Sequence, residues 1–264
     1  MTFEGGRPGL VALDIDGTLV DEYGQMLPGV HDSVARVLRA GVPVVLATGR
    51  SWHGTQPIFD QLSLPPGLAV SSNGAVVVDY PPAEVRQEVT FDPADVIARV
   101  QELAPEALIA VEEVGRGYRL TGHFPEGELS GELTLQSVEE LSAAPVSRVI
   151  IRDPERADQE FIELAQQLGL HGVSYFIGWS AWLDIAPEGV DKSTGLAHVV
   201  EHYGIDPSQV LAIGDGRNDI EMLTWAGRGV AMGQAPDEVK DSADAVTDAF
   251  DAFGTARELD RWFS

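Results

Sequence analysis

The sequence predicts an α/β protein: a parallel-sheet core assembled from both ends of the chain, with an α+β segment inserted between them. Three observations carry this reading. Over the first eighty residues, short apolar runs alternate with helically spaced apolar residues, the texture of strands buried on both faces and joined by crossover helices. The middle of the chain breaks that rhythm with closely spaced strand patterns. From Pro187 the alternation returns.

Each element follows from its own pattern. Residues 10–15 (LVALDI) form a continuous apolar run, read as a buried strand. Val30, Val34, Val37 and Leu38 share one helix face, and Gly41 ends that helix. A second strand at 43–47, a helix at about 51–62 and a third strand at 68–71 follow. Pro81-Pro82 reads as a hinge, and Asp92-Pro93 as the N-cap and first residue of a helix. Strands are expected at 108–114, 118–121, 132–138 and 146–152, with a glycine-rich loop over 115–131. A helix at about 156–168 precedes a hairpin of 173–177 and 181–185 around Gly178. The last stretch gives helices at 192–203 and 219–226 and strands at 210–213, 229–232 and 246–247.

Composition narrows the function classes. The 264 residues are 44% hydrophobic and 22% charged, ordinary globular usage and long enough to bury a core without staples. No apolar run approaches the ~18 residues that suggest a membrane span, and the N-terminus lacks a signal-peptide pattern. Cysteine is absent, which excludes disulfides, thiolate metal sites and a cysteine nucleophile. A cytoplasmic protein is the simplest expectation. The formal charge of −25 argues against nucleic-acid or anionic-membrane partners. An anionic substrate would need a locally positive pocket.

Chemistry-bearing residues gather at strand ends, where open parallel sheets bind ligands. The first strand runs into Asp14-Ile15-Asp16-Gly17-Thr18; two acids so close repel unless a cation relieves them, and oxygen ligands without cysteine suit Mg²⁺. A strand-end turn cap would look the same. Thr48-Gly49-Arg50 ends the second strand and offers a hydroxyl and a guanidinium for a phosphate, though taken alone a plain turn bearing a surface arginine is the better fit. Lys192 follows the cap candidate Asp191. A cation in a helix's first turn opposes the dipole, so Lys192 has a separate task or is merely solvated. Gly214-Asp215-Gly216-Arg217-Asn218-Asp219 puts two acids at a further strand edge, and it lacks the third glycine of a dinucleotide fingerprint. His198 and His202, in H-x-x-E-H spacing with Glu201, match a zinc-protease pattern but read better as helix-surface histidines.

The order Asp-x-Asp-Gly-Thr, Thr-Gly-Arg, Lys, Gly-Asp-x-x-Asn-Asp resembles the four motifs of the haloacid dehalogenase superfamily. The large insertion between the second and third motifs resembles the Cof-type phosphatases. Asn73-Gly74-Ala75, residues 183–192 (LDIAPEGVDK) and residues 232–247 (MGQAPDEVKDSADAVT) are similar to that subfamily as well. The similarity implies a Rossmann-like core, residues 1–81 plus 186–264, and an inserted α+β cap at 82–185. It implies a Mg²⁺-dependent phosphomonoester hydrolase acting on a small phosphorylated metabolite, a sugar phosphate being the leading class. Asp14 would be the nucleophile and Asp16 the general acid and base. Thr48 and Lys192 would bind the phosphoryl oxygens. Mg²⁺ would be held by Asp14, the carbonyl of Asp16 and Asp215, with Asp219 in support. Gly49, Arg50, Asn73, Gly74 and Asn218 complete the implied substrate site, and Arg116, Arg119 and His123 are candidate cap contacts. Trp179 and Trp182 either pack the cap or line the pocket. Alternatives are a phosphomutase, a phosphatase specialised for sucrose, trehalose or mannosylglycerate phosphates, or a non-catalytic phospholigand-binding relative. Oligomeric state is not legible.

Overall fold

The structure is a computed structural model that describes residues 3, 6–153, 173–177 (backbone only) and 182–264. The expected helix at 156–168 and the residues Gly178, Trp179 and Ala181 lie outside the described residues.

The core sheet has five parallel strands in the order β14 (Ala245–Val246), β13 (Arg228–Ala231), β12 (Val210–Gly214), β1 (Leu10–Leu13), β2 (Val44–Leu46). The apolar run of β1 is explained by layers on both faces. Val11 and Leu13 pack with Val30, Val34 and Val37 of α1 (Pro28–Arg39) and with Leu259 and Phe263 of α8 (Gly254–Phe263). Leu10 and Ala12 pack on the opposite face, with Leu196 and Val199 of α5 (Lys192–Tyr203) and Met222 of α6 (Ile220–Trp225). Strand β12 divides the same way, Leu211 and Ile213 to one layer and Val210 and Ala212 to the other. Burying each such Leu or Ile contributes about 1.5–3 kcal/mol. Short α7 (Asp237–Ser242) precedes β14, and α2 (Trp52–Gln61) follows β2.

The third strand, β3 (Gly67–Ser71), lies beside β2 but pairs with it through the isolated Ala47–Val70 bridge rather than a continuous ladder. It pairs instead in an antiparallel sheet with β4 (Val76–Tyr80) and β5 (Glu84–Glu88). This corrects the hinge expected at Pro81-Pro82: the pair sits in the turn joining β4 to β5, where missing N–H donors cost nothing. Val89 N–H still bonds Ala75, and Phe91 bridges Val146 of the inserted unit, so the crossing falls between them.

The inserted unit is a six-stranded sheet ordered β10 (Val173–Ile177), β11 (Trp182–Pro187), β9 (Val149–Arg152), β6 (Leu108–Glu113), β7 (Gly117–Leu120), β8 (Glu132–Leu135). All pairs are antiparallel except β7 with β8. The helix expected from Asp92-Pro93 forms one residue later, as α3 (Ala94–Leu103) with Pro93 rather than Asp92 at the N-cap, and Asp92 accepts from Ala94 N–H at 3.0 Å from just outside it. Strand β8 ends before the expected 138, because Ser137 and Glu140 form a capping box that starts α4 (Val138–Leu141). The expected loop at 115–131 contains β7. One sheet face packs on Val96, Ile97 and Val100 of α3 through Ile109, Val111, Val149, Ile151, Leu183 and Ile185. Alternation therefore sends Glu112, Tyr118, Trp182 and Asp184 to the other face.

Candidate active site

Parallel strands β1 and β12 run in register, Leu13 beside Ile213. Their carboxyl ends therefore bring Asp14 next to Asp215, although 200 residues separate them in sequence. Asp14 N–H bonds Ile213 C=O at 3.0 Å. Strand β2, on the other side of β1, delivers Thr48. Gly17 at φ +73° permits the closure: a Cβ there would lie 2.1 Å from Asp215 Oδ2.

Lys192 resolves the conflict with the helix dipole. Asp191 caps α5, accepting from Thr194 N–H at 3.1 Å. The Lys192 side chain is fully buried, and its Nζ donates to Asp14 Oδ1 and to Asp219 Oδ1, both at 2.6 Å. Asp219 is held further, since its Oδ2 also accepts from Asp215 N–H at 2.9 Å and Gly216 N–H at 2.8 Å. Gly74 lets α5 approach this closely: its φ is +95°, and a Cβ would fall 1.8 Å from Asp191 C=O.

The electrostatics are those of an acid cluster short of cations. Asp14, Asp215 and Asp219 can each offer a carboxylate oxygen within 4.8 Å of the others. Burial raises the Asp14 pKa well above the carboxylate range, and Asp219 adds to this against the pull of Lys192. Burial and then Asp219 raise Asp215 to about 7. Burial alone would depress Lys192, but Asp14 and Asp219 outweigh it and hold the ammonium charged. One lysine among three acids leaves an excess of negative charge, and a hard divalent cation fits such oxygen donors. Asp14 and Asp215 are the more available ligands, because both Asp219 oxygens already accept hydrogen bonds whereas Asp14 is held by Lys192 through Oδ1. Gln234, to which sequence reasoning gave no role, donates to Gly17 C=O at 2.7 Å and Asp215 Oδ2 at 3.2 Å and so orients that carboxylate. His198 and His202 are not members of this cluster.

A cavity of about 920 Å³ opens above these groups. Of the residues singled out from sequence, Asp14, Asp16, Gly49, Arg50, Asp215 and Asn218 line it. Thr48, Asn73, Gly74, Lys192 and Asp219 are buried beneath its floor. There Thr48 Oγ1 accepts from Arg50 N–H at 3.1 Å, and Asn73 accepts from Asn218 at 2.9 Å. Arg50 grips Asp16 through Nε at 2.9 Å and Nη2 at 2.5 Å.

Arg116, Arg119 and His123 do not line the cavity. Arg116 pairs with Glu113, Arg119 bonds Glu140 C=O, and His123 is exposed. The inserted sheet contributes Tyr118, Arg148, Trp182 and Asp184 instead. Trp182 thus faces the cavity, with its ring against Phe124 at 6.2 Å. A period-2 reading would have found this face: Val149 and Ile151 in one strand and Leu183 and Ile185 in the other mark the α3 side, leaving Arg148 and Asp184 opposite.

The arrangement has counterparts among known proteins. A family model described as haloacid dehalogenase-like hydrolase matches residues 11–259. The chain belongs to the haloacid dehalogenase-like hydrolases. It is similar to the pyridoxal phosphate phosphatase of Escherichia coli, 31% identical, with 90% of this chain and 92% of that one covered. The phosphoglycolate phosphatase of Natronomonas pharaonis is 30% identical, over 95% and 96% of the two chains. Among solved structures, the haloalkanoate dehalogenase superfamily phosphatase BT1666 from Bacteroides thetaiotaomicron aligns with TM-score 0.77 and 28% identity, covering 97% of this chain and 95% of that one. Three of the motif segments follow the neighbouring core strands β1, β2 and β12, and Lys192 opens α5 beside them.

Proposed function

We propose that this haloacid dehalogenase-like phosphatase hydrolyses the phosphomonoester of a small metabolite, a sugar phosphate being the leading class, with Mg²⁺ and through an aspartyl-phosphate on Asp14. The Lys192–Asp14 contact carries the reading. It holds one carboxylate oxygen of a buried acid on an ammonium at 2.6 Å while Asp14 remains on the cavity wall, the arrangement of a positioned nucleophile. Lys192 offsets the repulsion between a carboxylate and a phosphate dianion. Asp14 attacks phosphorus, the ester oxygen leaves, and Asp16 protonates it. Asp16 then takes the proton of the water that hydrolyses the acyl phosphate. Thr48, Gly49 and Asn218 keep the phosphoryl group in line, with Arg50 positioning Asp16. Asp14, Asp215 and the Asp16 carbonyl, with Asp219 as support, would hold Mg²⁺, which would supply charge neutralisation on the phosphoryl oxygens.

The inserted unit acts as a cap that excludes water and contacts the leaving group. We assign the enzyme to the cytoplasm, and neither nucleic acid nor membrane is part of this reading. Phosphate release from a metabolite panel with and without Mg²⁺ tests it. Wild type should release phosphate only with the metal, and Asp14→Asn should keep less than about a tenth of that rate. Turnover by Asp14→Asn, or equal rates in a chelator, would overturn it.

A further inference from the structure

The cavity roof holds a cation that is already spent. Arg148 is buried, and its Nε and Nη2 both meet Asp184 Oδ1 at 2.7 Å. Its Nη1 donates to Tyr118 OH at 3.1 Å and stands 3.9 Å from Glu112 Oε2. Glu112 is itself buried and accepts from Ser72 of the core at 2.6 Å. One guanidinium therefore faces two carboxylates.

The other arginines on the cavity wall are matched as well. Arg50 is gripped by Asp16, and Arg217 pairs with Glu238. Away from the catalytic floor, the described lining includes four acids, Asp21, Glu22, Glu128 and Asp184, against two arginines, Arg148 and Arg217. Arg152, behind the wall, is tied to Glu128 at 2.9 Å.

We propose that Asp184 is a specificity-determining residue that cancels Arg148 and makes the roof select phosphomonoesters whose leaving group carries no second anion. This inference rests on the phosphatase reading and refines it. A carboxylate or second phosphate at the roof would have to displace Asp184 from Arg148 or sit unpaired beside it, and a desolvated unpaired charge is costly. Rejection of this kind discriminates as effectively as attraction. A neutral polyol meets no such barrier. Tyr118 accepts from Arg148 and also meets Ser51, and Asp184, bonded to Arg148 and Trp182, still has carboxylate lone-pair capacity to accept from a hydroxyl. Trp182 adds an apolar face beside them.

The substitution Asp184→Asn keeps the shape and an acceptor for Arg148 while removing the cancelling charge. Its test uses glycerol 3-phosphate against 3-phosphoglycerate, and glucitol 6-phosphate against 6-phosphogluconate. Within each pair the main change is a carboxylate in the leaving group. Wild type should favour the uncharged member in kcat/KM by about tenfold or more, and Asp184→Asn should shrink that ratio by at least a comparable factor. Glu112→Gln removes a charge from the same guanidinium and, if Asp184→Asn fails to fold, should shift the ratio in the same direction. Calorimetric binding of the same four compounds to wild type and the variant reads the preference without turnover. Binding preference without hydrolysis would overturn the phosphatase reading and leave this one standing. Hydrolysis with an unchanged ratio in folded variants, a wild type that favours the carboxylates, or no binding of any of the four overturns the proposal.

Discussion

Arg50 and Asp16 form a two-point ion pair across the mouth of the cavity, Nε at 2.9 Å from one carboxylate oxygen and Nη2 at 2.5 Å from the other. Only a planar fork makes that contact, so a lysine cannot reproduce it. If Arg50 aims Asp16, both Arg50→Lys and Arg50→Gln should lower kcat on glucose 6-phosphate by about tenfold, roughly 1.4 kcal/mol of barrier. KM should stay nearly constant, and p-nitrophenyl phosphate should suffer less. A raised KM for both substrates that lysine rescues would make Arg50 a phosphate ligand instead.

Asp16 itself should show a leaving-group signature. A sugar phosphate expels an alkoxide that needs a proton, whereas an aryl ester expels a stabilised phenolate. Single-turnover transfer by Asp16→Ala should fall about 10²–10⁴-fold on the sugar phosphate and much less on the aryl ester. Equal losses would make Asp16 a structural acid.

Lys192, one of two lysines in the chain, should govern alkaline stability. Its folded pKa is raised because Asp14 and Asp219 outweigh the opposing effect of burial. Such a group stabilises fully below its unfolded pKa of about 10.4, and the contribution is lost as pH climbs from there toward the folded value, at up to about 1.4 kcal/mol per pH unit. Lys192→Met should be less stable at pH 8 by about 3–5 kcal/mol, the cost of uncompensated buried acids. The gap to wild type in urea unfolding should narrow above pH 10. A gap independent of pH up to pH 11.5 would refute the linkage.

Gly74→Ala should cost more than the ~1–2 kcal/mol of a left-handed residue alone, because its Cβ would also strike Asp191 C=O and push α5 outward. Gly204→Ala, at φ +66° with nothing within 4 Å of its Cβ, isolates the conformational cost. Denaturation midpoints compare the two, and only Gly74→Ala should also lose activity through a displaced Lys192.

His198→Ala with His202→Ala should leave metal dependence and activity unchanged, because the acid cluster includes neither histidine. Loss of activity in a folded double variant would implicate the pair.

Much of this molecule is written in local pattern. The runs at β1 and β12 alternate between two helix layers, and a chain with that periodicity has few other ways to bury it. The motif acids were legible for the same reason: strand ends are set by the apolar runs that precede them. The misread elements were those where local and long-range signals compete. Pro81-Pro82 looks like a boundary in sequence, but pairing of β4 with β5 makes it a turn. Ser137 and Glu140 ended a strand that its apolar pattern alone would have extended.

The sequence by itself determined the core strands and the carboxylates at their ends, because short-range periodicity sets which strand ends exist and what they carry. Only the tertiary structure decided the rest of the site. That Lys192 joins Asp14 to Asp219 depends on α5 closing over Gly74, and that Arg148 meets Asp184 and Glu112 depends on the register of three strands. Charges 27 to 178 residues apart in sequence can neutralise one another only after the chain has folded, since Coulomb attraction falls with distance in space and is strongest where water is excluded.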